Sequence, residues 1–521
     1  MSQASKSNAD RVAGGRPQPA NLPFAWRETT PGTREISSSP RWLGAACCLL
    51  VLLAGCRTPD PEENGLAGHL PPEGVKLRLV VVDDPVLASA IEQLEAVWND
   101  QAGCEFQVVR ASDRDLAGDD PPQADAVICR PCRLGVLAER GWIAPVSESL
   151  LQDDDGSWPE IFSLLRAQEA VWAKKVVAVP FGSPVLTCYY RADLLEKLGR
   201  RPPQTWAEYH ALAELLSDRD NLAEAAGPDD RPWYGAIEPL GTGWAGTMLL
   251  ARAAPYASHR ENYSTVFNVD TMEPLIDGPP FVRALEELVA DAALGPPDTD
   301  AQTASDPGSV RAAFWQGRCG LAVSWPTAAF KLPGPAGEAI RVGLAELPGS
   351  GEVYDVEDRA WDTRRDDEDR HVPLLAVSGR VGVVSGTSQW PEAACQLLFW
   401  LSDQQWSTEV SAASPDSTLF RRSHVESPGA WVEEPIPAAA AAEYAALTEQ
   451  TLSRTQFLFA LRIPGRPEYM AALDDAVQQA VRGDRTPREA LQEAAARWRK
   501  ITRRLGTETQ RKAYWHSLGL D

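Results

Sequence analysis

Apolar positions along this chain fall into two rhythms, nearly continuous runs and helical spacings, that alternate from residue 75 onward. Residues 75–82 form a β-branched, almost unbroken apolar run, which predicts a strand buried on both faces of a parallel sheet. Residues 85–99 follow with Val86, Leu87, Ile91, Leu94 and Trp98 at helical spacing. Residues 106–109 and 124–128 read as further strands, and 134–140 as a helix stopped by Gly141. Strand, helix, strand, strand, helix indicates an α/β sheet. Ligands of such sheets bind beyond the carboxyl ends of the strands. That rule places Asp83, Asp84, Arg130 and Arg133 beside one crevice, although Asp84 or Asp83 would serve equally as a helix cap.

The pattern continues with strands at 175–181 and 185–190, punctuated by Pro180, Gly182 and Pro184 with no helix between them. Thr205 caps a predicted helix through 216, with Glu208 positioned for a capping box. Helices are expected over 281–293, 310–316 and 391–401, and strands over 320–325, 342–347 and 381–384. Residues 351–371 are crowded with charge and read as a solvated excursion. Residues 438–504 read as helices, the last opened by Thr486 as cap and Pro487 at the first helical position.

Ahead of this region, residues 42–54 form an apolar run that follows Arg34 and Arg41 and ends at Leu53-Ala54-Gly55-Cys56. The run is shorter than the roughly 20 residues that cross a bilayer, and its basic flank and small residues are those of a secretory signal. The Cys placed directly after the small residues resembles a bacterial lipoprotein processing site, the alternative being a chance Cys in an ordinary signal peptide; the first reading sets the expectation. Residues 1–55 are then the signal region, Cys56 is the lipidation site, and residues 56–74 are a polar, Pro-rich tether. The expected location is extracytoplasmic, in the periplasm or at the cell surface, with acyl chains holding a soluble body on the membrane.

Charge and cysteine content narrow the function. The formal net charge is −23, and the signal region carries more basic than acidic residues, so the remainder is more acidic still. Such a surface repels phosphate backbones, which argues against nucleic-acid partners. Of the nine Cys, only Cys129 and Cys132 lie close in sequence beyond the signal region. A strand, then Cys-x-x-Cys, then a helix is the geometry that lowers a thiol pKa in disulfide-exchange enzymes. It equally suits a local disulfide or two packed thiols. The His residues form no metal motif. There is no nucleophile elbow, no zinc-protease helix motif and no phosphate-cradling loop, and no cofactor is expected.

Several stretches together resemble a known family. Val179-Pro180-Phe181-Gly182, Leu186 to Leu195, and Leu198-Gly199 followed by Pro202-Pro203-Gln204-Thr205-Trp206 resemble extracellular solute-binding proteins of the maltose-binding type, which feed ABC importers. Ala313 to Val323, Pro391 to Ser402, Arg462-Ile463-Pro464-Gly465 with Tyr469, and Gly483 to Trp498 agree in order and spacing. The resemblance implies an α/β, two-lobed periplasmic-binding-protein-like fold (type II) with interlobe crossing strands and C-terminal helices. It puts residues 75–182 and 326–402 in lobe 1, and 183–325 and 403–521 in lobe 2. The implied function is a non-enzymatic solute-binding subunit that delivers a sugar or sugar derivative to ABC permease subunits. Trp244, in a run of small residues, and Trp325, at the second crossing, are the expected aromatic contacts. Phe181 and Ser183 belong to the first crossing. Asp83, Asp84, Arg130 and Arg133 would supply polar contacts, with Gly379 and Arg380 beginning the return strand. The rival class is an exported enzyme, either a thiol oxidoreductase using Cys129 and Cys132 or a carbohydrate-active enzyme.

Overall fold

Two sheets organise the protein, and the first begins with the Val-rich strand the sequence announces. The computed structural model describes residues 76–152, 157–222, 232–331 and 340–520. The signal region, Cys56 and the tether lie outside the described residues. All described residues belong to one compact unit, Pro61–Asp521.

In the first sheet, Lys76–Val82 is flanked in parallel by Glu105–Ala111 and Ala126–Cys129. Val381–Ser385 returns from far along the chain to pair antiparallel with Ala126–Cys129. It also pairs with Val179–Pro180 and Ile143–Ala144. The apolar run of the first strand is therefore sandwiched, with Leu79 and Val81 buried among Leu87, Ile91 and Trp98. The predicted helix over 85–99 is two helices, Pro85–Glu92 and Glu95–Ala102, and Asp84 caps the first by accepting from the Leu87 N–H at 3.0 Å.

The second sheet has the order Val342–Glu346, Thr187–Arg191, Cys319–Ser324, Tyr234–Ile237. The first three strands pair antiparallel with one another, and the last runs parallel to Cys319–Ser324. This corrects one expected boundary. Residues 326–402 do not all return to the first lobe, because Val342–Glu346 pairs with Thr187–Arg191 in the second sheet. The chain re-enters the first sheet at Val381–Ser385. Residues 403–521 also divide. Helix Ser407–Ser411 packs against Pro85–Glu92, whereas Ala438–Thr451 packs on Val342–Glu346. The last helix, Thr507–Ser517, touches both halves. His516 accepts from the Ala173 N–H at 3.1 Å, and Trp515 Nε1 donates to the Val269 carbonyl at 2.7 Å.

The charged stretch 351–371 is not a loose excursion. Glu352–Asp355 and Ala360–Thr363 form a hairpin on helices Ala245–Ala257 and Pro279–Ala292. Tyr354 and Trp361 pair across it with ring centroids 5.4 Å apart. Asp355 closes its turn by accepting from the Glu357 N–H at 2.8 Å. The Thr486 capping box forms with both arms. Thr205 caps Trp206–Ser217 as expected, but Glu208 reaches back to the N–H of Gln204, one residue upstream of the anticipated partner.

Candidate functional site

Residues at the carboxyl ends of the parallel strands converge on a short segment, 414–417, that joins the two halves. Asp83 directly follows the first strand in a left-handed conformation, φ 51°, and its side chain is exposed. Its neighbour Asp84 is buried and ion-pairs through Oδ2 with Arg380 at 3.1 Å, and Ser414 Oγ donates to the same oxygen at 2.6 Å. The Arg380 guanidinium, 1 % exposed, also reaches Asp416 at 2.9 Å and the Asp83 carbonyl at 3.2 Å. Arg130, exposed at the end of Ala126–Cys129, lies 3.5 Å from the same Asp416. Arg133 instead forms a two-pronged pair with Asp113, its Nε at 2.8 Å. Burying Arg380 is tolerable because two carboxylates and backbone carbonyls surround it. The half-exposed Asp416 and the exposed Arg130 present planar polar groups outward.

Aromatic surface arrives from the second half. Trp325 follows Cys319–Ser324 and donates its indole N–H to the Pro415 carbonyl at 3.1 Å, one residue from Asp416. The ring of Trp244 lies 5.5 Å from that of Trp325, and Trp244 is only half-buried. Trp244 is positioned by its loop. Gly243 and Gly246 donate their N–H groups to the Asp474 carboxylate at 2.7 and 2.8 Å. Burial pushes that carboxyl above its usual range. Trp325 is positioned by a buried post. Glu433 accepts from Tyr189 at 3.1 Å, from Trp315 Nε1 at 3.0 Å and from the Thr327 N–H at 3.0 Å.

Phe181 and Ser183 sit elsewhere. Phe181 is fully buried and exchanges backbone hydrogen bonds with the return segment, its N–H to Arg380 O and Arg380 N–H to Gly182 O, both at 2.9 Å. Ser183 is buried and donates to the Glu169 carboxylate, which also accepts from the Ala376 N–H at 3.1 Å. These residues hold the crossing segments together. Burial raises the Glu169 carboxyl to about 7. Cys129 and Cys132 are two free, buried thiols, and burial pushes Cys129 up to about 12. That shift is opposite to what a reactive thiol needs. Among the described residues no cluster of His, Cys, Asp or Glu could hold a metal ion, and no helix is long and apolar enough to cross a membrane.

The structure therefore gathers Asp83, Asp84, Arg130, Trp244 and Trp325 around residues 414–417. It sets Arg133 in a neighbouring ion pair and assigns Phe181 and Ser183 to the crossing. Asp416 is the participant that sequence reasoning missed. Its only sequence signal is a run of small polar residues around Pro415.

The model of the family described as bacterial extracellular solute-binding protein matches residues 108–406. Solved structures share the fold at low identity. A solute-binding protein of Agrobacterium radiobacter K84, in complex with ribitol, is 19% identical with a TM-score of 0.60, covering 83% of this chain and all of its own. The sugar-binding protein MalE of Xanthomonas citri is 18% identical with a TM-score of 0.62, covering 83% of this chain and 99% of its own. Maltose-bound MalE3 of T. maritima is 17% identical with a TM-score of 0.57, covering 82% and 99%. A match over more than half the chain, on a two-lobed α/β fold with its polar and aromatic side chains meeting between the sheets, places this protein among the bacterial extracellular solute-binding proteins, which bind their solutes without transforming them.

Proposed function

We propose that this protein captures a sugar or sugar alcohol between its two lobes and delivers it to the permease of an ABC importer. The observation that carries the reading is the Trp244–Trp325 ring pair, set one residue from the Asp416–Arg130 pair. Sugars present flat C–H faces to aromatic rings and a rim of hydroxyls to planar carboxylates and guanidinium groups. The ribitol and maltose bound by two structural relatives belong to that chemical class. Asp83, Arg130 and Asp416 are the proposed hydroxyl partners, Trp244 and Trp325 the ring platform. Asp84 and Arg380 are the buried frame that orients them.

The proposed lobes are residues 76–182 with 381–402, and 187–325 with 342–363. Residues 179–186, 324–327 and 376–381 cross between them. Lipidation of Cys56 would tether the protein outside the cytoplasm, within reach of its permease. The test is a thermal-shift screen of saccharides and polyols, since a ligand that binds only the native state raises its melting temperature. At least one should raise it in a concentration-dependent way. Silence across that class, with a response to amino acids, polyamines or metal ions, would overturn the sugar assignment. Mass spectrometry of the mature N-terminus checks the acylated Cys56 separately.

A further inference from the structure

Away from that junction, a cavity of about 230 Å³ lies between residues 258–266, residues 455–462 and the C-terminal helix Thr507–Ser517. Its wall is chemically unlike the rest of the molecule. The chain carries 73 acidic residues, yet none lines this cavity, whereas Arg260, His259 and Arg462 do. Arg462 is buried, and its Nη groups donate to the carbonyls of Glu169 and Ser517 at 2.9 and 3.0 Å, not to a carboxylate. Two of the several buried side-chain atoms without a hydrogen-bond partner among the described residues, Arg462 Nε and Ser258 Oγ, belong to residues lining this cavity. Orphaned buried donors of this kind are rare in native structures and call for a partner. The outer basic side chains are partly answered from beyond the wall. Arg260 lies 3.5 Å from Asp362 and 3.3 Å from Glu368, and His259 lies 3.4 Å from Asp362 and 4.0 Å from Asp355. Apolar surface from Phe457, Phe459 and Leu461 completes the enclosure, and the exposed Tyr263 stands on its rim.

We propose that this cavity is an accessory binding site for a small carboxylate with a compact apolar body. The carboxylate would meet the cationic side and the unpaired donors, while the apolar body would lie on the phenylalanine rings. A bare oxyanion would leave the aromatic wall unused, and a neutral ligand would give the unpaired donors no charged acceptor.

Benzoate is a suitable probe, titrated calorimetrically into the intact protein beside benzamide and inorganic phosphate. Saturable benzoate binding is expected, at least tenfold tighter than either. Thr455→Trp, at an exposed rim position, should abolish it by filling the mouth, and Arg260→Gln should weaken it about tenfold. Trp244→Ala should leave it unchanged, which separates this site from the proposed sugar site. Absence of saturable binding, equal affinity for benzamide, tighter binding of phosphate, or loss of binding in Trp244→Ala with retention in Thr455→Trp would each overturn the assignment.

Discussion

Trp244 and Trp325 have rings 5.5 Å apart but should answer truncation differently. Trp244 is half-buried at a loop tip, so Trp244→Ala should lower affinity for the bound saccharide at least tenfold while moving the melting temperature little. Trp325 is 3 % exposed and bonded to Pro415, so Trp325→Ala should lose affinity and also cost about 3–5 kcal/mol of stability. Calorimetric titration and denaturant melts of the two variants decide this; unchanged binding by Trp244→Ala would remove it from the site. Glu169 makes a pH prediction. Its folded pKa, about 7, lies above the ordinary 4.5, so folding holds its proton where the unfolded chain has released it. Its contribution is fully present below pH 4.5 and is lost as pH rises toward 7. Glu169→Gln keeps an acceptor for the Ala376 N–H and offers an amide N–H that the Ser183 hydroxyl can accept, without a titrating proton, so the variant should gain melting temperature over the parent progressively from pH 4.5 to 7. A gain that shrinks over that window would refute the assignment. His424 acts in the opposite sense. Burial and Arg421 hold its folded pKa near 3 against an ordinary 6.5, so its contribution is present above pH 6.5 and fades as pH falls toward 3.

At the scale of elements, helix caps were legible in the sequence and loop anchors were not. Asp84, Thr205 and Thr486 cap because a short polar side chain before a helical run accepts the free N–H groups of its first turn. Asp474 does comparable work at long range, from helix Arg466–Val481 to the loop that carries Trp244. Nothing near residue 474 in sequence announces that role. Asp474→Ala should strand two backbone N–H groups, costing about 1–3 kcal/mol. Hydrogen exchange over residues 241–247 should then accelerate at least tenfold; exchange at the parent rate would show that the loop holds itself. The hairpin at 351–371 shows the same divide. Its charged residues look solvated, but Tyr354 and Trp361 pair across the strands and Arg364, buried, donates to the Pro255 carbonyl at 2.6 Å.

For the whole molecule, capture between two lobes predicts that they close on the solute, and such a motion depends on the crossing segments staying narrow. Gly379 has φ +106°, and a Cβ there would stand 2.3 Å from Ser183 Oγ and 2.7 Å from the Gly182 carbonyl. Only glycine combines that conformation with so close an approach. Gly379→Ala should destabilise the fold and weaken solute binding together, because it pries apart the segments that position Arg380. In the parent protein, small-angle scattering should show the radius of gyration fall on addition of the saccharide. An unchanged radius at saturation would count against lobe closure.

By itself, the sequence determined which stretches become strands or helices, where several of them start, and the family pattern that implies two lobes. Those features depend on periodicity, caps and β-branched runs, which act over a few residues. Tertiary structure alone decided that Val342–Glu346 joins the second sheet, that Phe181 and Ser183 are buried at the crossing, and that Asp416 meets Arg380 and Arg130 next to the Pro415 carbonyl held by Trp325. These outcomes are set by contacts between segments tens to hundreds of residues apart, where the cost of burying a charge and the match of donors to acceptors choose the partner.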